Sequence, residues 1–71
     1  MYQKMIRERL AKMGYIGKYN PRHIEAYMRL EHSTLDGLSS KQFDNEIKIC
    51  IDCIKYDGIE NAENCASSMG L

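Results

Sequence analysis

Cys50 and Cys53 form a C-x-x-C pair, the spacing that offers two thiolates to a zinc ion or closes a redox disulfide. The surrounding sequence meets neither requirement. A redox pair sits at a helix N-terminus, where free amides stabilise the thiolate, whereas these two residues fall in the middle of a predicted helix. A structural zinc site takes four ligands, and Cys65, His23 and His32 stand at spacings that match no zinc module. Both thiols are therefore read as small buried hydrophobes, and no metal or cofactor is expected. His23 and His32 lie nine positions apart, so they point to different sides of one helix and act together only if another element intervenes. The chain holds no G-x-S-x-G, Gly-rich phosphate loop, H-E-x-x-H or paired-carboxylate arrangement. With 71 residues it also lacks the walls to enclose a substrate, so no catalytic residue is assigned and no enzyme activity is expected.

A second constellation is built for contact rather than reaction. Tyr15, Lys18, Tyr19 and Arg22, joined to Lys4, Arg7 and Lys12, interleave aromatic and basic side chains. Such a surface serves as a protein hot spot, where Tyr and Arg are enriched, or holds phosphates and stacks bases. Arg7, Lys12, Tyr15, Lys18, Tyr19 and Arg22 are the candidate partner-binding residues. The bland alternative is a solvated basic face.

The elements that position these residues are helical. Advancing about 100° per residue gathers apolar positions on one side of four segments. Residues 2–13 place Tyr2, Met5, Ile6, Leu10 and Met13 together, with Gly14 as the stop. Asn20 before Pro21 opens a helix over 21–32 that buries Ile24, Tyr27 and Met28, with Leu30 at the edge of that face and Arg22, Glu25, Arg29 and His32 in solvent. Thr34 to Leu38 reads as a short connection that plugs Leu35 and Leu38 into the core. Ser39 with Gln42 is a capping box opening the longest helix, 40–56. Its apolar positions fall in two arcs, Phe43, Ile47, Cys50, Ile51 and Ile54, then Ile49, Cys53 and Tyr56, the pattern of a central helix covered on two sides. Asp57 with Glu60 repeats the capping pattern ahead of a last helix, 59–69, with a stripe of Ile59, Ala62, Cys65, Ala66 and Met69.

No run alternates with period two, so the expected fold is all-α: a compact bundle of about four short helices in one domain spanning 1–71, with 14–20 a looser connection. The firmest core residues are Ile24, Met28, Leu38, Phe43, Ile47, Cys50, Ile51, Ile54, Ile59, Ala62 and Ala66. Arg9 and Glu46 fall on apolar stripes, and burying either charge alone costs several kcal/mol, so the two should approach each other or each reach the rim.

Ten positive and ten negative side chains give no net charge, but they are sorted along the chain. Residues 1–30 hold seven cations against two carboxylates, and residues 31–71 hold three against eight. This dipole can close within one fold, join copies head to tail into a homo-oligomer, or offer a basic surface to an acidic partner. An odd count of three Cys without a signal-like leader points to a reducing, intracellular setting. No segment reaches the roughly 20 apolar residues of a membrane span, so integral membrane association is not expected.

Arg22 to Leu30, then Thr34-Leu35-Asp36, Leu38-Ser39, the Phe43 and Glu46 region and the tail from Ala62-Glu63 to Met69-Gly70-Leu71 resemble short uncharacterised proteins of bacteriophages and other mobile elements. The resemblance covers roughly the last fifty residues and carries no activity or functional residue. It implies a cytoplasmic protein of a bacterial host. The leading expectation is a small interaction module, in the manner of a regulator or inhibitor of a host protein. The runner-up is a nucleic-acid-binding accessory protein using the same basic N-terminal half. Base reading by the third helix is disfavoured, because Asp44, Glu46 and Asp52 offset Lys41, Lys48 and Lys55.

Overall fold

Local signals in the chain place the helix ends with little ambiguity. The computed structural model describes residues 2–32 and 34–71, which form four α-helices and, among the described residues, no strand: α1 Tyr2–Lys12, α2 Pro21–Glu31, α3 Ser40–Asp57 and α4 Ile59–Ser68. Asn20 caps α2, its side-chain oxygen accepting from the Arg22 amide at 2.9 Å, while Pro21 fills the first turn where no amide partner is needed. The capping box of α3 is complete: Ser39 Oγ accepts from the Gln42 amide at 3.2 Å, and Gln42 Oε1 accepts from the Ser39 amide at 2.9 Å.

The junction between α3 and α4 differs from the expected capping box. Asp57 is the last helical residue of α3, and Gly58 alone ends one helix and starts the next, with no side-chain cap. Gly58 stands at φ 93° and ψ 155°, a backbone region essentially confined to glycine. A one-residue link leaves no room for an Asp cap; Asp57 instead accepts from the Tyr27 hydroxyl at 3.0 Å through its side chain and from Asn61 through its carbonyl.

Packing places α2, not α3, at the centre. Helix α2 touches α1, α3 and α4, and His23, Ile24, Glu25, Ala26 and Met28 are all buried on it. The core joins Ile6 and Leu10 of α1, Ile24 and Met28 of α2, Leu35 of the connection, Phe43, Ile47, Cys50, Ile51 and Ile54 of α3, and Ala62 of α4. Only the first apolar arc of α3 is covered. Ile49 and Tyr56 of the second arc are exposed and Cys53 is half-buried, so the expectation of a two-sided α3 fails for lack of a neighbour there. The 18-residue α3, about 27 Å long at 1.5 Å per residue, spans a particle of 28 × 27 × 20 Å.

Two expected core residues are corrected. Ile59 is 67% exposed, because α4 docks through the small side chains of Ala62 and Ala66 and its first residue projects beyond that seam. Leu38 is half-buried against the core, while Leu35 of the same connection is 3% exposed. Leu30 points to water at 61% exposure.

This division sets the response to truncation. Met28→Ala should cost about 2–5 kcal/mol, since a fully buried side chain leaves a cavity, whereas Ile59→Ala should stay within about 0.5 kcal/mol. Urea unfolding followed by circular dichroism compares the two.

Candidate functional site

The connection between α1 and α2 is shaped by two glycines and two tyrosines. Helix α1 ends in a Schellman motif: Gly14 at φ 85° donates to the Ala11 carbonyl at 3.2 Å, and Tyr15 donates to the Leu10 carbonyl at 2.8 Å. A second turn follows, with Lys18 donating to the Tyr15 carbonyl at 3.1 Å. The Tyr15 and Tyr19 rings meet edge to face, 5.5 Å between centroids at 73°, and both pack against the core. With both aromatic residues turned inward, Ile16 is left outside at 76% exposure.

Two open hollows flank this connection and share Gly17 and Tyr19 as their common wall. One, of about 470 Å³, runs between α1 and the start of α2 and is lined by Arg7, Leu10, Ala11, Tyr15, Ile16 and Pro21. The other is lined by Lys18, Asn20, His23, Ile54 and Ile59.

The six predicted residues divide accordingly. Arg7, Tyr15 and Tyr19 line the first hollow, and Lys18 and Tyr19 line the second. Lys12 is exposed on the last turn of α1 and lines neither. Among the described residues Arg7, Lys12 and Lys18 enter no ion pair. Arg22 is turned away to α4, where Nη1 donates to both Glu63 oxygens at 2.6 and 2.7 Å, Nη2 donates to Ser67 Oγ at 3.2 Å and Nε donates to the Leu71 backbone oxygen.

Arg22 is one of several charges that the wheel directed to water and the structure ties down. His23 is 6% exposed and its Nε2 lies 2.8 Å from Glu63 Oε1. Glu25 is 5% exposed and accepts from Arg29 Nε at 2.8 Å, while the Arg29 guanidinium stands 5.5 Å from the centre of the Tyr2 ring. His32 reaches Glu46 Oε1 at 2.9 Å. Glu46 therefore does not meet Arg9, which instead donates to Asp44 Oδ1 at 2.6 Å, approaches the Ser40 carbonyl and hydroxyl at 3.3 Å, and lies 5.6 Å from the centre of the Phe43 ring.

Titration behaviour follows these contacts. The Arg22 guanidinium, with His23 and Ser67 beside it, pulls the Glu63 carboxyl down to about 2. Burial pushes the Cys50 thiol up to about 12, with the Cys53 thiol and the Glu46 and Glu31 carboxylates adding to it, so this half of the C-x-x-C pair stays protonated. Burial and the hydrogen bond to Asp57 raise the Tyr27 hydroxyl to about 12. The hydrogen bond to Asp36 raises Tyr2.

Sequence reasoning missed Ile16, which no helical face claims, and misassigned Ile59 to the core. The available signal was an aliphatic residue beside Tyr15 in the two-residue stretch between Gly14 and Gly17, outside either flanking helix. No family model matches this chain, and no match is found among curated proteins or solved structures, so any functional reading rests on the surface itself.

The Glu63 cluster predicts an acid transition of defined sign. A carboxyl held below its unfolded value of about 4.3 stabilises the fold fully above that value, and the contribution is lost as pH falls towards about 2. Glu63→Gln should therefore melt lower than wild type at pH 7, with the gap shrinking steadily below about pH 4.5. Thermal unfolding across pH measures the gap.

Proposed function

We propose that this protein is a non-enzymatic interaction module that captures a segment of another protein in the hollow beside Ile16. A regulator or inhibitor of a bacterial host protein, made in the cytoplasm, is the setting that the phage-like sequence suggests. The observation that carries the reading is the exposed Ile16 on a connection whose tyrosines are locked inward, flanked by Arg7 and Lys18, which line the two adjoining hollows and pair with no carboxylate among the described residues. The matching ligand presents an apolar side chain flanked by carboxylates.

Binding rather than catalysis is supported by the way the chemically capable residues are engaged: His23, His32, Glu46 and Glu63 hold helices together, and the Cys50 thiol is protonated. Protein rather than nucleic acid is supported by the pairing of Arg9, Arg22 and Arg29 within the fold, which withdraws three guanidinium groups from the phosphate-binding count.

The test is affinity capture from a nuclease-treated bacterial lysate, identification of the retained protein, and titration of that protein in purified form. Ile16→Asp and Arg7→Glu should each weaken the complex about tenfold or more, while Tyr56→Asp, on the exposed outer arc of α3, should change it less than about twofold. A complex that needs nucleic acid, or that is indifferent to Ile16→Asp, overturns the reading.

A further inference from the structure

We propose that Glu31, His32 and Glu46 form a binding site for a single divalent transition-metal ion of the zinc type, bridging the end of α2 to α3. One ligand atom from each residue lies within 4.8 Å of the other two, and His32 Nε2 and Glu46 Oε1 are already 2.9 Å apart. A zinc ion bound at about 2.0–2.2 Å by each ligand holds neighbouring ligand atoms about 3.4 Å apart, so small side-chain rotations complete the set. One imidazole with two carboxylates is a donor set for first-row metals rather than for calcium or magnesium, which take oxygen alone.

Charge argues in the same direction. Glu31 and Glu46 bring two carboxylates together, and among the described residues no Lys or Arg reaches ion-pair distance of either. Glu31 is the last residue of α2, where the helix presents its negative dipole end, and His32 is the first residue past it. A cation there relieves the repulsion and replaces the direct contact between His32 Nε2 and Glu46 Oε1. Glu31 is exposed, which leaves the outer coordination position to water.

This arrangement is unrelated to the C-x-x-C pair and to the hollow beside Ile16. The eleven residues of α2 put it about 15 Å along the helix from Pro21, so neither the site nor its test depends on partner binding.

Zinc chloride alone is the probe, titrated by calorimetry into the full chain and into a Cys53→Ser, Cys65→Ser variant that removes the half-buried thiols. One zinc per chain should bind in both, with a rise in melting temperature. Glu31→Gln should weaken binding at least about tenfold without altering the fold, since its side chain is exposed, and Glu46→Gln should do the same where it folds. Cobalt(II) should give a visible spectrum of nitrogen and oxygen ligation without a thiolate charge-transfer band. Absence of saturable binding below about 1 mM zinc, wild-type affinity in Glu31→Gln, or a thiolate band each overturns the assignment.

Discussion

Helix α2 has to be buried against three neighbours while carrying Arg22, His23, Glu25 and Arg29, and the rest of the molecule is arranged around that constraint. A charge taken out of water without a partner costs more than a small core can offset. Each of these side chains therefore has a designated partner. Arg22 and His23 share Glu63 of α4, and Glu25 takes Arg29 one turn away, over the Tyr2 ring. The same logic extends outward through Tyr27 to Asp57, His32 to Glu46 and Arg9 to Asp44. Of these contacts, Arg22 and His23 with Glu63, Tyr27 with Asp57 and Arg9 with Asp44 join the first thirty residues to the acidic remainder of the chain, whereas Glu25–Arg29–Tyr2 and His32–Glu46 each close within one part. Part of the charge segregated along the sequence is thus used in assembly, with Arg9 and Arg22 of the first half closing on Asp44 and Glu63 of the second.

What remains outside is defined by subtraction. Once Arg9, Arg22 and Arg29 are matched, the cations of the first half left without a carboxylate among the described residues are Lys4, Arg7, Lys12 and Lys18. Arg7 and Lys18 line the hollows on either side of the α1–α2 connection, so the positive potential left over coincides with the exposed Ile16. A basic rim around an apolar projection selects partners by charge at the encounter and by shape at contact.

The helix ends were legible in the sequence because capping is local: Asn20-Pro21, Ser39 with Gln42, and Gly14 each act within a few residues of themselves. Which face of a helix is buried was only partly legible. A helical wheel ranks positions by angle but is silent on how many neighbours a helix has, so the wide stripe of α3 looked central while the polar-studded α2 looked peripheral. Ile59 shared an angle with Ala62 and Ala66, yet the close seam between α2 and α4 is built from small residues, Ala26, Ala62 and Ala66, all at 0% exposure. The identity of charge partners was not legible at all. That Arg9 meets Asp44 and not Glu46 depends on the docking of α1 beside the start of α3, which no spacing within either helix encodes.

The lock between α2 and α4 also bears on how the proposed surface would work. Pro21 and Tyr19 form a wall of the first hollow, and the next two residues, Arg22 and His23, are the ones held by Glu63. At its other end the connection is tied to α1 by the Schellman bonds of Gly14 and Tyr15. A connection anchored at both ends and braced by the edge-to-face Tyr15–Tyr19 pair has little conformational freedom left to lose, so ordering it would cost the proposed complex little affinity. On the proposed reading, the interhelical pairs of Arg22 and His23 with Glu63 would serve recognition indirectly, by holding the wall against which an apolar side chain would rest.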